Sequence, residues 1–116
     1  MVSNERFASA CRDTPSYALS RVIELAKTGR VRYAGSRVQR DVENLAYRPE
    51  DVHRCLASLN ACHFHRSEQY EPSGPWFDVY HVRYAGPADA VDELYVKLKL
   101  GPNCLVVVLA SFHRER

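Results

Sequence analysis

The feature that most constrains the fold is a strictly alternating segment, residues 93–100, that precedes an almost continuous apolar run. Successive side chains of a β-strand point to opposite faces of its sheet. Residues 93–100 therefore present one aliphatic face, and the other face carries Tyr95, Lys97 and Lys99. Gly101-Pro102-Asn103 has the composition of a turn. Residues 104–113 predict an inner strand that is covered on both faces.

Length and composition predict one domain. The chain has 116 residues, which is enough to bury a hydrophobic core, and we expect a loose tail over residues 1–13 and a single domain over residues 14–116. No apolar run is long enough to span a bilayer, so we expect a cytoplasmic protein without a membrane partner. Four cysteines without a CxxC pair predict free thiols: Cys11, Cys55, Cys62 and Cys104.

Charge is distributed unevenly along the chain. Residues 1–40 contain eight Lys and Arg against three acids, and residues 97–116 contain four against one, whereas the middle of the chain is acidic. If the first helix and the last strand are neighbours, their surplus forms a positive surface that suits an anionic partner. The alternative is an ordinary solvated surface with uneven charge.

The first half of the chain predicts helices and the second half predicts strands. Thr14 and Pro15 have the features of a helix start, and Gly29 those of a helix end. Further helices are predicted over residues 36–45 and 49–60, and residues 31–33 predict a short extended segment. Residues 62–71 and 76–85 predict two strands that precede the hairpin. This order predicts an α+β fold in which two or three N-terminal helices pack on a four-stranded antiparallel meander sheet.

Common catalytic and metal-binding motifs are absent from the sequence. It contains no P-loop, GxGxxG, HExxH, GxSxG or paired CxxC signature. Cys62, His63 and His65 are close in sequence, and His53 could approach them from a helix. Strand alternation places Cys62 on the face opposite the other two, which disfavours a zinc site. We therefore expect neither a metal nor another cofactor.

Histidines, tyrosines and cations spread over the predicted strands suit RNA cleavage without a metal. The reaction needs a base for the 2′-hydroxyl proton, an acid for the departing 5′-oxygen, and cations for the phosphorane. Histidine serves either proton-transfer role, arginine stabilises charge, and tyrosine stacks on bases or donates to phosphate. The alternative is that these are ordinary sheet and surface residues. The set comprises His63, His65, Arg66, Tyr70, Tyr80, His81, Tyr95, Lys97, His113 and Arg114.

From about residue 14 to residue 113 the chain resembles the MqsR family, toxins of type II toxin–antitoxin systems. The matching pieces, in this order, are Thr14-Pro15, Leu19-Ser20, Gly29-x-Val31-Arg32, Phe64-x-Arg66-Ser67, Trp76-x-Asp78-Val79-Tyr80, Tyr95-x-Lys97 and Ser111-Phe112-His113. The resemblance implies a RelE-like fold and a ribosome-independent endoribonuclease. Such toxins cut mRNA at short sequences, GCU-type in the best-known member, and a cognate antitoxin protein silences them.

The resemblance also implies site residues, with one match and three differences. The family's tyrosine on the penultimate strand falls on Tyr95. Its first lysine falls on Arg66, which keeps the charge, and its glutamine falls on Phe77, which neither hydrogen-bonds nor transfers protons. Its last lysine falls on His113. His81 alternates onto the same face as Phe77 and is the candidate for the missing polar role.

We hypothesise that Tyr95 and His113 handle protons, which requires both on one open face of the sheet, and that Arg66 and Lys97 hold phosphate. His65 is a second candidate, on the face opposite Arg66 unless a bulge intervenes. The expected substrate-binding residues are Lys97, Lys99, His65, Tyr70 and Arg114.

The sequence leaves alternatives for the antitoxin-binding surface and for the function. The antitoxin has two candidate surfaces, the basic helix over residues 21–30 and an exposed edge of the sheet. The alternative function is a non-catalytic α+β module that binds RNA or protein, which Phe77 and Arg66 favour because they dilute the catalytic set.

Overall fold

The structure, a computed structural model, describes residues 7–115 and shows three helices and a six-stranded mixed sheet within them. Two short 3₁₀ helices are also present: Ala61–His63 follows the third helix, and Pro102–Cys104 lies between the last two strands. The main elements in chain order are β1 (Ala10–Arg12), α1 (Leu19–Lys27), β2 (Val31–Tyr33), α2 (Ser36–Asn44), α3 (Pro49–Ala57), β3 (Phe64–Gln69), β4 (Trp76–Ala85), β5 (Val91–Leu100) and β6 (Val107–Arg114).

The α+β class is confirmed, but the predicted four-stranded antiparallel sheet is wrong in size and in direction. The strand order is β1-β3-β4-β5-β6-β2, in which β3 to β6 form the predicted antiparallel meander. Strand β1 extends one edge, and β2 extends the other edge parallel to β6. Each added strand has three residues. The short extended segment predicted over residues 31–33 is confirmed as β2. Three residues carry too little alternation to predict β1 or the strand with which either segment pairs.

The predicted arrangement of helices first and strands second is also wrong, because β1 precedes α1 and β2 separates α1 from α2. The loose tail predicted over residues 1–13 is wrong for Ala10–Arg12, which pair with β3. The guanidinium carbon of Arg12 lies 4.0 Å from the centre of the Trp76 ring and adds a cation–π contact. Residues 1–6 of that tail, and Arg116, lie outside the described residues.

Helix α1 begins at Leu19, later than the Thr14-Pro15 start that the sequence predicts. The carboxylate of Asp78 on β4 is fully buried and accepts the backbone N–H groups of Ser16 and Tyr17 at 2.9 Å and 3.0 Å. The Tyr17 hydroxyl donates to the carbonyl oxygen of Trp76 at 2.6 Å. These bonds hold the segment before the helix against β4, so helical geometry starts only after it.

Other predicted boundaries agree more closely with the structure. Helix α2 begins at the predicted residue, and Gly29 has the expected positive φ of 73°. Helix α3 ends at Ala57, before the predicted Asn60, and β3 begins at Phe64 rather than Cys62. The reason is a tight turn between them, in which the Asn60 side chain accepts the Cys62 N–H.

The hydrophobic core lies between the three helices and one face of the sheet. Leu94, Val96 and Leu98 of β5 are fully buried in it, as the alternation predicts, together with Phe112 of β6. We call the opposite face, which the alternate residues of β5 share, the outer face. Strand β6 is an inner strand as predicted, but its outer side is only partly covered because Ser111 and His113 are half-buried.

All four cysteines are free thiols, as predicted. Cys55 is buried in the core, and burial raises the pKa of its thiol to about 12. Among residues 7–115, no helix is long and apolar enough to cross a membrane.

We expect Asp78→Ala to lower the free energy of unfolding by about 3 kcal/mol, because it leaves the N–H groups of Ser16 and Tyr17 without their charged acceptor. Urea denaturation followed by circular dichroism measures this loss. The matched control is Asp13→Ala, an exposed carboxylate in the neighbouring segment, which should change stability by less than about 0.5 kcal/mol. Equal losses in the two variants would contradict the anchoring role of Asp78.

Candidate functional site

Four ring side chains stand in a row across the outer face, one from each strand of the meander. Tyr95 and His113 are opposite each other in the β5–β6 register, with ring centroids 5.2 Å apart and ring planes 9° from parallel. His81 lies opposite Tyr95 at 5.6 Å, and His65 stacks on His81 at 4.2 Å. The two residues of the expected proton-handling pair therefore lie side by side on the outer face.

A bulge brings the two candidates of β3 onto one face. The β3–β4 register shifts between Phe64 and Arg66, so His65 and Arg66 both project from the outer face. Burial lowers the pKa of His65, and the nearby His81 and Arg66 lower it further. His65 is therefore held toward its neutral form.

A hollow of about 600 Å³ opens beside the Tyr95–His113 pair. Its floor is the outer face, and residues of α2 form one wall. The expected residues Arg66, Tyr70, Tyr95, Lys97 and His113 all line it. The complete lining is Phe7, Arg37, Val38, Asp41, Arg66, Glu68, Tyr70, Phe77, Tyr95, Lys97, Ala110, Ser111 and His113.

The hollow is organised around Glu68, a buried carboxylate that the sequence analysis missed. Its side chain is only 5% exposed, and it accepts the Arg66 Nε–H at 2.6 Å and a hydrogen bond from the Tyr70 hydroxyl. The Lys97 ammonium lies 3.6 Å from its Oε1 and also donates to the Tyr70 hydroxyl. The spacing Arg66-x-Glu68 was the available signal, because residues two apart on a strand share a face.

These contacts determine the charge of Glu68. Burial raises the pKa of its carboxyl, but the hydrogen bonds from Tyr70 and Arg66 and the charge of Lys97 outweigh burial, so the net pKa is lowered. Glu68 is therefore ionised at neutral pH and fixes the positions of both cations.

Tyr95 has the opposite shift. Burial raises the pKa of Tyr95 to about 12, and the negative charge of Glu68 acts in the same direction, while Arg66 opposes it. The phenol thus keeps its proton at neutral pH. It is able to donate a proton or a hydrogen bond, but it is not a base.

Phe77 stands where the family resemblance implies a glutamine, and His81 is the residue expected to replace that polar group. Phe77 lines the hollow, with its ring 5.9 Å from that of Tyr70. His81 is outside the lining, and its Nδ1 lies 2.8 Å from a carboxylate oxygen of Glu115. Its Nε2 is buried without a hydrogen-bond partner among residues 7–115. His81 extends the row of rings but does not reach the position beside Phe77.

The remaining predicted residues lie away from the hollow. Lys99 is on the outer face, with its ammonium 5.8 Å from the centre of the Phe77 ring, but it does not line the hollow. Arg114 is opposite Leu94 in register, hence on the core side of the sheet, where its guanidinium lies 3.3 Å from Asp92. Tyr80 is buried in the core.

The residues considered for zinc do not converge. His63 accepts the Asn60 backbone N–H through Nδ1 at 3.1 Å, and His65 stacks on His81. Across residues 7–115 there is no group of three or more His, Cys, Asp or Glu side chains that could hold a metal ion.

The basic N-terminal segment lies next to the last strand, the arrangement that a positive surface requires. Strand β2 pairs with β6, and its Val31 and Tyr33 pack on the core. Arg32 therefore projects from the outer face. Arg37, at the start of α2, lines the hollow together with Lys97.

The fold and the hollow define a class of small α+β protein, in which helices cover one sheet face and the other face carries cations and aromatic rings. Residues 14–114 match the family model described as "Motility quorum-sensing regulator, toxin of MqsA", and the chain belongs to this MqsR family. The predicted resemblance is confirmed, and the family is one of toxins in toxin–antitoxin systems, with MqsA as the partner in its description. None of the curated proteins matches the chain.

We expect Glu68→Gln to lower the free energy of unfolding by about 2 kcal/mol at pH 7, since Arg66 and Lys97 then lose their buried counter-charge. The Glu68 pKa is lowered in the folded state, so its stabilisation is complete above the unfolded pKa of about 4.3 and is lost as pH falls through the folded value. Urea denaturation at a series of pH values should show wild type and variant converging in acid. A constant difference at all pH values would contradict this origin.

Proposed function

We propose that the protein is an mRNA endoribonuclease that works without a metal and that a cognate antitoxin inhibits. The observation that carries this proposal is the pairing of a phenol and an imidazole, Tyr95 and His113, at the side of a cationic hollow. Membership of the MqsR toxin family supports it. The substrate is single-stranded RNA, whose ribose supplies the attacking 2′-hydroxyl.

In the proposed reaction His113 acts as the base and Tyr95 as the acid. His113 removes the 2′-hydroxyl proton while the 2′-oxygen forms a bond to phosphorus. The bond from phosphorus to the 5′-oxygen breaks, and Tyr95 gives its proton to that oxygen. The products are a 2′,3′-cyclic phosphate and a 5′-hydroxyl. This division follows from the raised pKa of Tyr95, about 12, because a phenol that keeps its proton is not able to accept another.

Arg66 and Lys97 stabilise the extra negative charge of the phosphorane in this reaction. Glu68 holds the Arg66 guanidinium by its Nε–H. The two Nη groups of Arg66 have no hydrogen-bond partner among residues 7–115, and almost half of the Arg66 side chain is exposed. They are therefore oriented donors for two phosphate oxygens. Lys97 adds a second charge from β5, which β4 separates from β3, and it lines the same hollow.

A second candidate is a module that binds RNA without cutting it, and Phe77 is the observation that favours it. The ring of Phe77 occupies the wall of the hollow where the family resemblance implies a glutamine. An aromatic ring stacks on a base but neither donates to a phosphate nor transfers a proton. The two candidates share a ligand and differ in whether a bond is broken.

The antitoxin has two surfaces available, as the sequence analysis expects. On α1, Arg21 is engaged by Glu24 and by the Cys104 carbonyl oxygen, whereas Lys27 is exposed. At the sheet edges, β1 and β2 are three-residue strands that each pair with a neighbouring strand on one side only within residues 7–115.

We expect the purified protein to cleave labelled RNA in EDTA and to leave 2′,3′-cyclic phosphate ends. His113→Ala should lower kcat/KM by about 10²- to 10⁴-fold, and Tyr95→Phe by at least tenfold, as is usual for lost proton transfer. Gel analysis of end-labelled RNA measures the rates. The matched controls are His53→Ala and Tyr84→Phe, which alter the same residue types outside the hollow and should keep full activity.

Two outcomes of this assay would contradict the proposal. Full activity of His113→Ala, in a protein that melts like wild type, would remove the proton-transfer assignment. Stable retention of intact RNA by the wild-type protein would support the non-catalytic module instead.

We expect kcat/KM not to fall between neutral pH and about pH 10, because the acid Tyr95 keeps its proton over that range. The high pKa of Tyr95, about 12, places the loss of its proton beyond that range. Initial rates with RNA, corrected for hydrolysis without protein, measure the profile. A decline between pH 7 and pH 9 that Tyr95→Phe abolishes would show that the phenol ionises earlier than burial implies.

A further inference from the structure

One large apolar side chain that lines the hollow, Phe7, is exposed to solvent. Phe7 is 89% exposed, yet it is among the residues that line the hollow beside Arg66 and Lys97. Singly exposed apolar residues are common on protein surfaces, so exposure alone identifies no site. The position of Phe7 next to two groups suited to hold phosphate is what requires explanation.

The backbone two residues after Phe7 is hydrogen-bonded to the end of β3. Ser9 donates its backbone N–H and its hydroxyl to the Gln69 carbonyl oxygen, at 2.8 Å and 2.9 Å. Cys11 is opposite Glu68 in the β1–β3 register. Cys11 therefore projects from the outer face with Glu68. Phe7 precedes β1 by three residues and itself lines the hollow on that face, so the pairing of β1 with β3 keeps the Phe7 backbone close to the hollow.

The residues that line the hollow favour one class of ligand as the contact of the Phe7 ring. Arg37, Arg66 and Lys97 line it as three cations against two acids, and this positive surplus favours an anionic ligand. The other exposed large hydrophobic residues in the described chain, Val91 and Leu105, do not line the hollow, so they do not join Phe7 there. Single-stranded RNA carries an aromatic base next to every phosphate, and such bases stack on exposed aromatic side chains.

We propose that Phe7 stacks on a base of the RNA whose phosphate lies at Arg66 and Lys97. This inference rests on the proposed function and deepens it, because it assigns a base-binding residue to the RNA site. Phe7 precedes residues 14–114, which match the family model. The contact is sequence-tolerant, since every base has a face that stacks.

The test is direct binding of RNA that the protein is not able to cut. A short fluorescein-labelled RNA with a 2′-O-methyl group on every ribose lacks the attacking hydroxyl. Phe7→Ala should weaken its binding about 5- to 100-fold in fluorescence anisotropy, and Phe7→Trp should restore it. Phe7→Leu, which keeps the apolar character and loses the aromatic face, should behave like Phe7→Ala. The matched control Leu105→Ala removes an exposed hydrophobic residue elsewhere and should leave Kd unchanged.

A second measurement separates stacking from any other effect of the substitution. Abasic nucleotides placed one at a time along the same RNA should weaken binding by wild type at one position. At that position the abasic RNA should bind Phe7→Ala no more weakly than the intact RNA does. The melting temperatures of wild type and Phe7→Ala should coincide, because the ring is exposed.

The outcomes keep this inference and the nuclease proposal distinct. If Phe7→Ala binds RNA as tightly as wild type, the inference is overturned, and cleavage by the wild type still supports the nuclease. If binding falls as expected but the wild type cuts no RNA, Phe7 is a base-binding residue of the non-catalytic module. Failure of the wild type to bind any RNA would overturn both. If Phe7→Ala weakens antitoxin binding and leaves RNA binding unchanged, only the base-stacking inference is overturned.

Discussion

Strand β5 imposes the constraint on which the outer face depends. It is paired with β4 on one side and β6 on the other, and its Leu94, Val96 and Leu98 are fully buried against the helices. Each buried aliphatic side chain contributes about 1.5–3 kcal/mol to stability. A shift of the β5 register by one residue would expose all three, and the stability lost would exceed what any single contact on the outer face contributes. The core thereby fixes Tyr95 on the outer face, and the β5–β6 register then places His113 beside it.

Glu68 organises the same face electrostatically. A carboxylate buried to this extent is unfavourable unless it is paired and hydrogen-bonded. Arg66 of β3, Tyr70 just after β3, and Lys97 of β5 on the far side of β4 satisfy it. Glu68 neutralises part of the positive charge of Arg66 and Lys97. It also orients the Arg66 guanidinium, because it accepts the Nε–H of that group. For a site that must recognise a phosphate in one position, fixed donors contribute more than additional mobile charges would.

How much the sequence could predict depends on how far each signal extends along the chain. Long alternation identified β5 and placed Tyr95 and Lys97 on the face opposite the core, and a run of aromatic and β-branched residues identified β4. The three residues of β2 were predicted as extended, but their pairing with β6 was not, and β1 was missed altogether, because so short a segment has no period and its partner is distant in sequence. Asp78 and Glu68 were missed because a charged residue usually indicates surface. Their burial is a tertiary result, since partners from other segments satisfy them. The bulge that turns His65 toward His81 is likewise a property of the paired sheet.

In the proposed reaction, the same surroundings also account for the return of the protons. Once Tyr95 has given its proton to the leaving oxygen, its phenolate is unfavourable, because burial and the charge of Glu68 both raise its pKa. The His113 imidazolium formed in the first step lies on the neighbouring strand, with its ring centroid 5.2 Å away. Opposite charges at this separation attract each other, and the proton on His113 has a strong driving force toward Tyr95 through an intervening product hydroxyl or water. A raised acid pKa and an adjacent imidazole therefore work together: the first keeps the phenol protonated before the reaction, and the second restores it afterwards.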